Sequence, residues 1–67
     1  MYEIRYKIKE LRKETGITQK ALGEHLNKSA TAVASWEQGL SEPSVNDIIV
    51  MCKLFGVSPN YLFGFED

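Results

Sequence analysis

The chain has 67 residues and a formal net charge of -1, with one Cys, one His, one Trp, two Pro and five Gly. A chain of about this size buries only roughly 60% of its unfolded surface, so one core is expected and a second domain, a cofactor-enclosing cleft or a layered α/β sheet is not. No apolar run approaches the roughly 18 residues that span a membrane, and the amphipathic N-terminus carries no apolar signal core.

The first helix is predicted from about Glu3 to Glu14, where Ile4, Ile8 and Leu11 recur at i, i+4 and i+7 as one apolar stripe. Arg5, Lys9 and Arg12 form a neighbouring stripe at the same spacing. Thr15-Gly16 ends it, with Gly16 suited to the left-handed position after a helix. Thr18 is placed as the N-cap of a second helix reaching Leu26, with Ala21, Leu22 and Leu26 inward. Gly23 weakens that helix by up to ~1 kcal/mol relative to Ala, which points to close approach by another helix. After the turn Asn27-Lys28, Ser29 caps a third helix that runs to about Gln38 and stops at Gly39. Val33 and Trp36 face its core side, so Ala30, Thr31, Ala34 and Ser35 point elsewhere.

A polar loop, Gly39 to Pro43, leads to Ser44, which caps a fourth helix and forms a capping-box-like pair with Asp47. Ile48, Met51, Cys52 and Phe55 repeat at helical period before Gly56. Ser58-Pro59 opens a short fifth helix with Pro at its first position, carrying Tyr61, Leu62 and Phe63 before Gly64. There is no strand alternation, internal repeat, linker or low-complexity stretch. The predicted fold is all-α, a compact five-helix bundle forming a single domain over residues 1–67.

Charge is polarised along the chain. Residues 1–28 hold seven cations against four acids, a local charge of +3, and residues 29–67 hold Lys53 against five acids, a local charge of -4. Such a domain can turn a positive face to a polyanion, although a mixed solvated surface reads the same way. An isoelectric point near 5.8 argues against strong non-specific nucleic-acid binding.

The second and third helices, about residues 18–38, have the spacing of a helix-turn-helix, in which the second helix of the pair enters the major groove and the first crosses the backbone. Any small helical bundle contains such pairs, so spacing alone does not decide. The residues add more: Gly16-Ile17-Thr18-Gln19-Lys20-Ala21-Leu22-Gly23, then Ser29, Val33-Ala34-Ser35-Trp36-Glu37-Gln38-Gly39, Pro43, Leu54-Phe55-Gly56-Val57-Ser58 and Tyr61-Leu62. From Ile8 to Gly64 this resembles the lambda-repressor-like (Cro/XRE-type) helix-turn-helix family.

That resemblance implies a five-helix DNA-binding domain, usually a homodimer on a palindromic operator of double-stranded DNA and most often a repressor. It assigns base reading to Ala30, Thr31 and Ser35, with Ala34 nearby, and backbone contact to Gln19, joined by Thr18. A long amide at a helix start can donate to phosphate while accepting from a neighbour. Lys28, Ser29, Gln38 and Ser44 are further backbone candidates, with Lys20 and Arg5 weaker ones of the same kind. Where family members often place Gln, Arg, Lys or Asn for bidentate base contacts, this chain offers only small side chains. Contact with thymine methyls, water-mediated contacts and DNA shape are then the expected means of readout. The resemblance also implies a partly buried pair, Arg12 with Glu37, and a dimer contact from the fifth helix and tail, Tyr61, Phe63 and Phe65; the alternative for Phe65 is a tail folded over the core.

The other chemistry-bearing residues have plainer readings. Trp36 is placed in the core, Cys52 is a small core residue, and His25 is solvent-exposed. The fourth helix is apolar nearly all round, so Ile49 or Val50 is expected to stay partly exposed. A lone Cys makes neither an internal disulfide nor a zinc site, and a cytoplasmic location fits. No cofactor, metal, small-molecule effector or membrane partner is expected. An enzyme is excluded by inventory, since one His and one Cys come without a glycine-rich phosphate loop or a ligand cluster. The competing function is a protein-interaction module, such as the antitoxin of a toxin–antitoxin pair.

Overall fold

A computed structural model describes residues 3–65. In chain order the helices are α1 (Ile4–Thr15), α2 (Gln19–Leu26), α3 (Ala30–Gln38), α4 (Val45–Phe55) and α5 (Pro59–Phe63), and the described residues contain no strand. The helix starts follow from local hydroxyl chemistry. Thr18, Ser29, Ser44 and Ser58 each accept a hydrogen bond from the backbone N–H three residues on, at 3.0–3.1 Å. At α4 the exchange is reciprocal, because Asp47 Oδ2 accepts from the Ser44 N–H at 3.0 Å. Each helix ends on a residue in the left-handed region, and at α2 that residue is Asn27, with φ of 58°.

α1 lies one residue later at both ends than its apolar stripe predicts. Glu3 forms the preceding turn, and Thr15 stays helical with its hydroxyl donating to the Leu11 carbonyl at 2.9 Å. α2 packs on α3, α1 packs on α3 and α5, and α4 packs on α5 and α2. The core between them is Ile4, Ile8 and Leu11 of α1, Leu22 and Leu26 of α2, Val33 and Trp36 of α3, Met51 and Cys52 of α4 and Leu62 of α5. Ile8, Leu22, Val33, Met51 and Leu62 are fully enclosed, and each such side chain contributes about 1.5–3 kcal/mol relative to exposure.

Ala21 is only half-buried, as are Ile48 and Phe55 of the stripe predicted on α4. Ile49 is 45% exposed, Val50 is half-buried and Val45 is 74% exposed. Val45 is left out because it opens α4 beside the exposed end of the loop, where Pro43 rather than Val45 turns inward.

Candidate nucleic-acid interface

α2 and α3 meet through a turn of three residues, Asn27 to Ser29. The turn is drawn tightly onto α2: the Lys28 N–H donates to the Gly23 carbonyl at 2.8 Å. A Cβ on Gly23 would stand 2.6 Å from the Lys28 carbonyl oxygen and 3.1 Å from that of Ser29. Only glycine allows this closeness, which sets how α3 leaves α2. Leu22, Leu26, Val33 and Trp36 then lock the two helices together on their buried sides.

With Val33 and Trp36 inward, α3 turns a face of small residues outward. Thr31 is exposed, and Ala30, Ala34 and Ser35 are half-buried. The Ser35 and Ser41 hydroxyls lie 2.7 Å apart, so Ser35 is tied to the loop that follows α3. Ser29 and Gln38 are exposed at the two ends of the helix. Ser29 also caps α3, so its oxygen already accepts from the Ala32 N–H.

Behind this face sits a brace of three side chains. Arg12 Nε donates to Glu37 Oε2 at 2.7 Å and Arg12 Nη2 donates to Glu37 Oε1 at 3.1 Å. Gln19 Nε2, at the start of α2, donates to the same Oε1 at 3.1 Å. Arg12 Nη1 also donates to the Ile17 carbonyl at 3.1 Å, so one guanidinium ties α1, the α1–α2 turn and α3 together. The Glu37 side chain is 4% exposed. Burial pushes its carboxyl up, but hydrogen bonds from Arg12 and Gln19, with the charges of Arg12 and Lys9, outweigh burial and hold it below the usual range. The same hydrogen bonding to Glu37 raises the Arg12 guanidinium against its own desolvation. Gln19 spends one amide donor on Glu37, and Thr18 is exposed with its oxygen capping α2.

The family model of the helix-turn-helix matches residues 8–62, which include every element of this arrangement. The chain belongs to the lambda-repressor-like (Cro/XRE-type) helix-turn-helix family. Among relatives of this family, it is 38% identical over 65 residues to the HTH-type transcriptional regulator DicA of Escherichia coli, covering 96% of this chain and 45% of DicA. It is 34% identical to the uncharacterised HTH-type transcriptional regulator YgzD of Bacillus subtilis, covering 91% of this chain and 92% of YgzD. The chain thus spans less than half the length of DicA. A crystal structure of the P22 c2 repressor in complex with a synthetic operator superposes with a TM-score of 0.87 at 29% identity, over 98% of this chain and 100% of that one.

Around the helix-turn-helix, Lys28 has a partner that the sequence did not reveal, and Ser44 has the capping-box partner that it did. Lys28 Nζ lies 3.7 Å from Asp47 Oδ1, a buried carboxylate of α4, while the lysine side chain itself is 42% exposed. Ser44 is exposed, but its N–H and hydroxyl oxygen are both engaged with Asp47. The signal for Asp47 was present as the capping box; its reach to Lys28 depends on how α4 packs on α2.

The aromatics singled out for a dimer contact are dispersed in their surroundings. Tyr61 is half-buried, with Lys7 Nζ 4.5 Å from its ring centre and its hydroxyl donating to Glu10 at 3.5 Å. Phe63 is half-buried and stacks on Phe65 at 6.0 Å, and Phe65 is 65% exposed. The apolar exposure also includes Leu40 and Tyr6, at 76% and 61%. Cys52 is enclosed, and burial pushes its thiol up. Among the described residues there is no cluster of metal-ligating side chains and no helix long and apolar enough to cross a membrane.

Proposed function

We propose that residues 1–67 act as one DNA-binding unit of a sequence-specific transcription regulator, a cytoplasmic repressor without enzymatic activity. α3 lies in the major groove of double-stranded DNA and α2 crosses the backbone. Ala30, Thr31, Ala34 and Ser35 face the base edges, and Thr18, Gln19, Lys28, Ser29, Gln38 and Ser44 hold the phosphates on either side. The observation that carries this reading is the partly open, small-residue face of α3, backed by the Arg12–Glu37–Gln19 brace. The brace leaves α3 little freedom to rock against α2, and a rigid support is what positions a reading helix for base contacts. Short side chains let the helix sit deep in the groove, with methyl contacts, bridging water and duplex shape supplying specificity.

Two copies would set two reading helices one DNA turn apart, roughly 34 Å, so the operator is near-palindromic. The exposed Phe65 ring, stacked on Phe63, is the apolar surface on which the two copies meet, and Tyr61 of the same helix as Phe63 joins the contact. Selection of bound sequences from random duplex DNA at about 150 mM salt tests the whole reading, because generic charge attraction is already weak there. Recovery of an inverted repeat is the expected result; recovery of no enriched sequence would overturn it.

A further inference from the structure

We propose that α1 extends the DNA-facing surface with a cationic ridge, Lys9 flanked by Arg5, that binds a backbone phosphate alongside the end of α3. This rests on the DNA-binding reading above. The polar residues of α1 are sorted by side. Glu10 turns toward α5, accepting from the Tyr61 hydroxyl, and Glu3 in the turn before α1 packs against Gly64. Lys7 is engaged there too, over the Tyr61 ring. Arg5, Lys9 and Arg12 instead run along the C-terminal end of α3. Arg5 lies so close to Gly39 that a Cβ there would be 2.7 Å from Arg5 Nη1, and Arg12 is bonded to Glu37. Lys9 falls between them on the stripe and is exposed. Its charge also helps to hold the Glu37 carboxyl low, so it stands near the brace.

This side of α1 carries more positive charge than the protein neutralises. Among the described residues the ion pairs are Arg12 with Glu37 and Lys28 with Asp47, so neither Lys9 nor Arg5 has a carboxylate partner. Arg5 Nε is buried without an acceptor, and the rest of its guanidinium finds only Tyr6 as a partner, with Nη2 donating to the hydroxyl at 2.9 Å and the guanidinium carbon 4.6 Å from the ring centre. A guanidinium without a carboxylate partner keeps its fork of N–H donors for an oxyanion. Gln19 reaches Glu37 from the start of α2, so the ridge adjoins the backbone contacts proposed for α2 and continues them onto α1.

The test is a fluorescence titration of a labelled duplex carrying the sequence recovered by the selection above, with the wild type and with Lys9→Gln, Lys9→Arg, Arg5→Gln and Lys53→Gln, repeated between about 50 and 200 mM salt. Each phosphate contact adds about 0.9 to the slope of log affinity against log salt. Lys9→Gln should remove that much, shrinking the affinity lost over this salt range by about 3.5-fold, with the helical fold intact by circular dichroism. Lys9→Arg should keep the wild-type slope, Arg5→Gln should lower it, and Lys53→Gln on α4 should leave it alone. A Lys9→Gln slope equal to that of a DNA-binding wild type overturns the ridge and leaves DNA binding standing. An equal fall with Lys53→Gln overturns it as well, since net charge alone then explains the change. A wild type without salt-dependent DNA binding overturns the ridge and the parent reading together.

Discussion

Arg12 on α1 and Glu37 on α3 meet as a two-pronged ion pair, with both carboxylate oxygens engaged and both side chains largely withdrawn from water. Such pairs add geometric definition more reliably than net stability. Removing one partner is a different matter, because it strands a buried charge. Arg12→Met should therefore lower stability by about 3–5 kcal/mol, with Gln19 left as the sole donor to the carboxylate. Adding Glu37→Leu to that variant should recover much of the loss. Urea unfolding checks both; a midpoint unmoved by Arg12→Met would show that the pair is incidental.

The same carboxylate gives a pH dependence whose sign changes with its partner. In the wild type the Glu37 value is lowered despite its burial, so its contribution is fully present above the unfolded value of about 4.3 and is lost as pH falls through the lower folded value. Without Arg12, burial dominates and the folded value rises above the unfolded one. The contribution is then greatest below about 4.3 and is lost as pH rises through the raised value. The stability gap between wild type and Arg12→Met should therefore narrow on moving from about pH 7 to about pH 4. Paired denaturation curves measure it, and a gap independent of pH would assign the loss to something other than Glu37.

Gly23 makes a second demand on geometry. Ala is ordinarily the better helix former, by about 1 kcal/mol. Here its methyl group would meet the Lys28 carbonyl at 2.6 Å, and backbone atoms of a closed turn cannot swing aside as a side chain can. Gly23→Ala should cost about 1–3 kcal/mol, the range for overpacking a tight contact. It should also tilt α3 relative to α2, so DNA affinity should fall further than the lost stability explains. Thermal melting and a binding titration on one preparation separate the two effects.

What the sequence disclosed and what it withheld divide along the range of the interaction. Helix starts were legible because Thr18, Ser29, Ser44 and Ser58 bond to backbone only three residues away. Core stripes on α1 and α3 were legible from periodicity, which carried Ile4, Ile8, Leu11, Val33 and Trp36 to buried positions. α4 was less so: with apolar residues nearly all round, periodicity does not say which side the other helices cover, and Val45 stands out in solvent. Lys28 with Asp47 was hidden for a related reason, since neither residue has a local cue pointing to the other. Arg12 with Glu37 entered through resemblance, because two charges on separate helices have no spacing rule of their own.

Asn27 closes α2 in the left-handed region, at φ of 58°, where a residue with a Cβ is strained. Asn tolerates this region better than most residues, and Gly tolerates it best. Asn27→Ala should therefore lose about 1 kcal/mol, whereas Asn27→Gly should be neutral or slightly stabilising. The ordering of the three melting temperatures is the check. An Ala variant as stable as the wild type would mean that the turn relaxes out of the left-handed conformation.

Base readers and backbone holders should separate in the pattern of their losses. Thr31 is exposed, and Ser35 is half-buried with its hydroxyl shared with Ser41. Thr31→Val keeps a methyl group but removes the hydroxyl, so preference should shift at one operator position by about 1–3 kcal/mol, the range for a mismatched base contact. Ser35→Ala should act more weakly, because part of the Ser35 hydrogen-bonding capacity is already used within the chain. Lys28→Gln should instead weaken all duplexes alike and lower the salt slope by about one. Its loss starts from a lysine already near Asp47, so phosphate must compete with that carboxylate for the ammonium group. Binding measured across single-base operator variants distinguishes the two kinds of residue. A uniform loss from Thr31→Val would move that side chain from the base edges to the backbone.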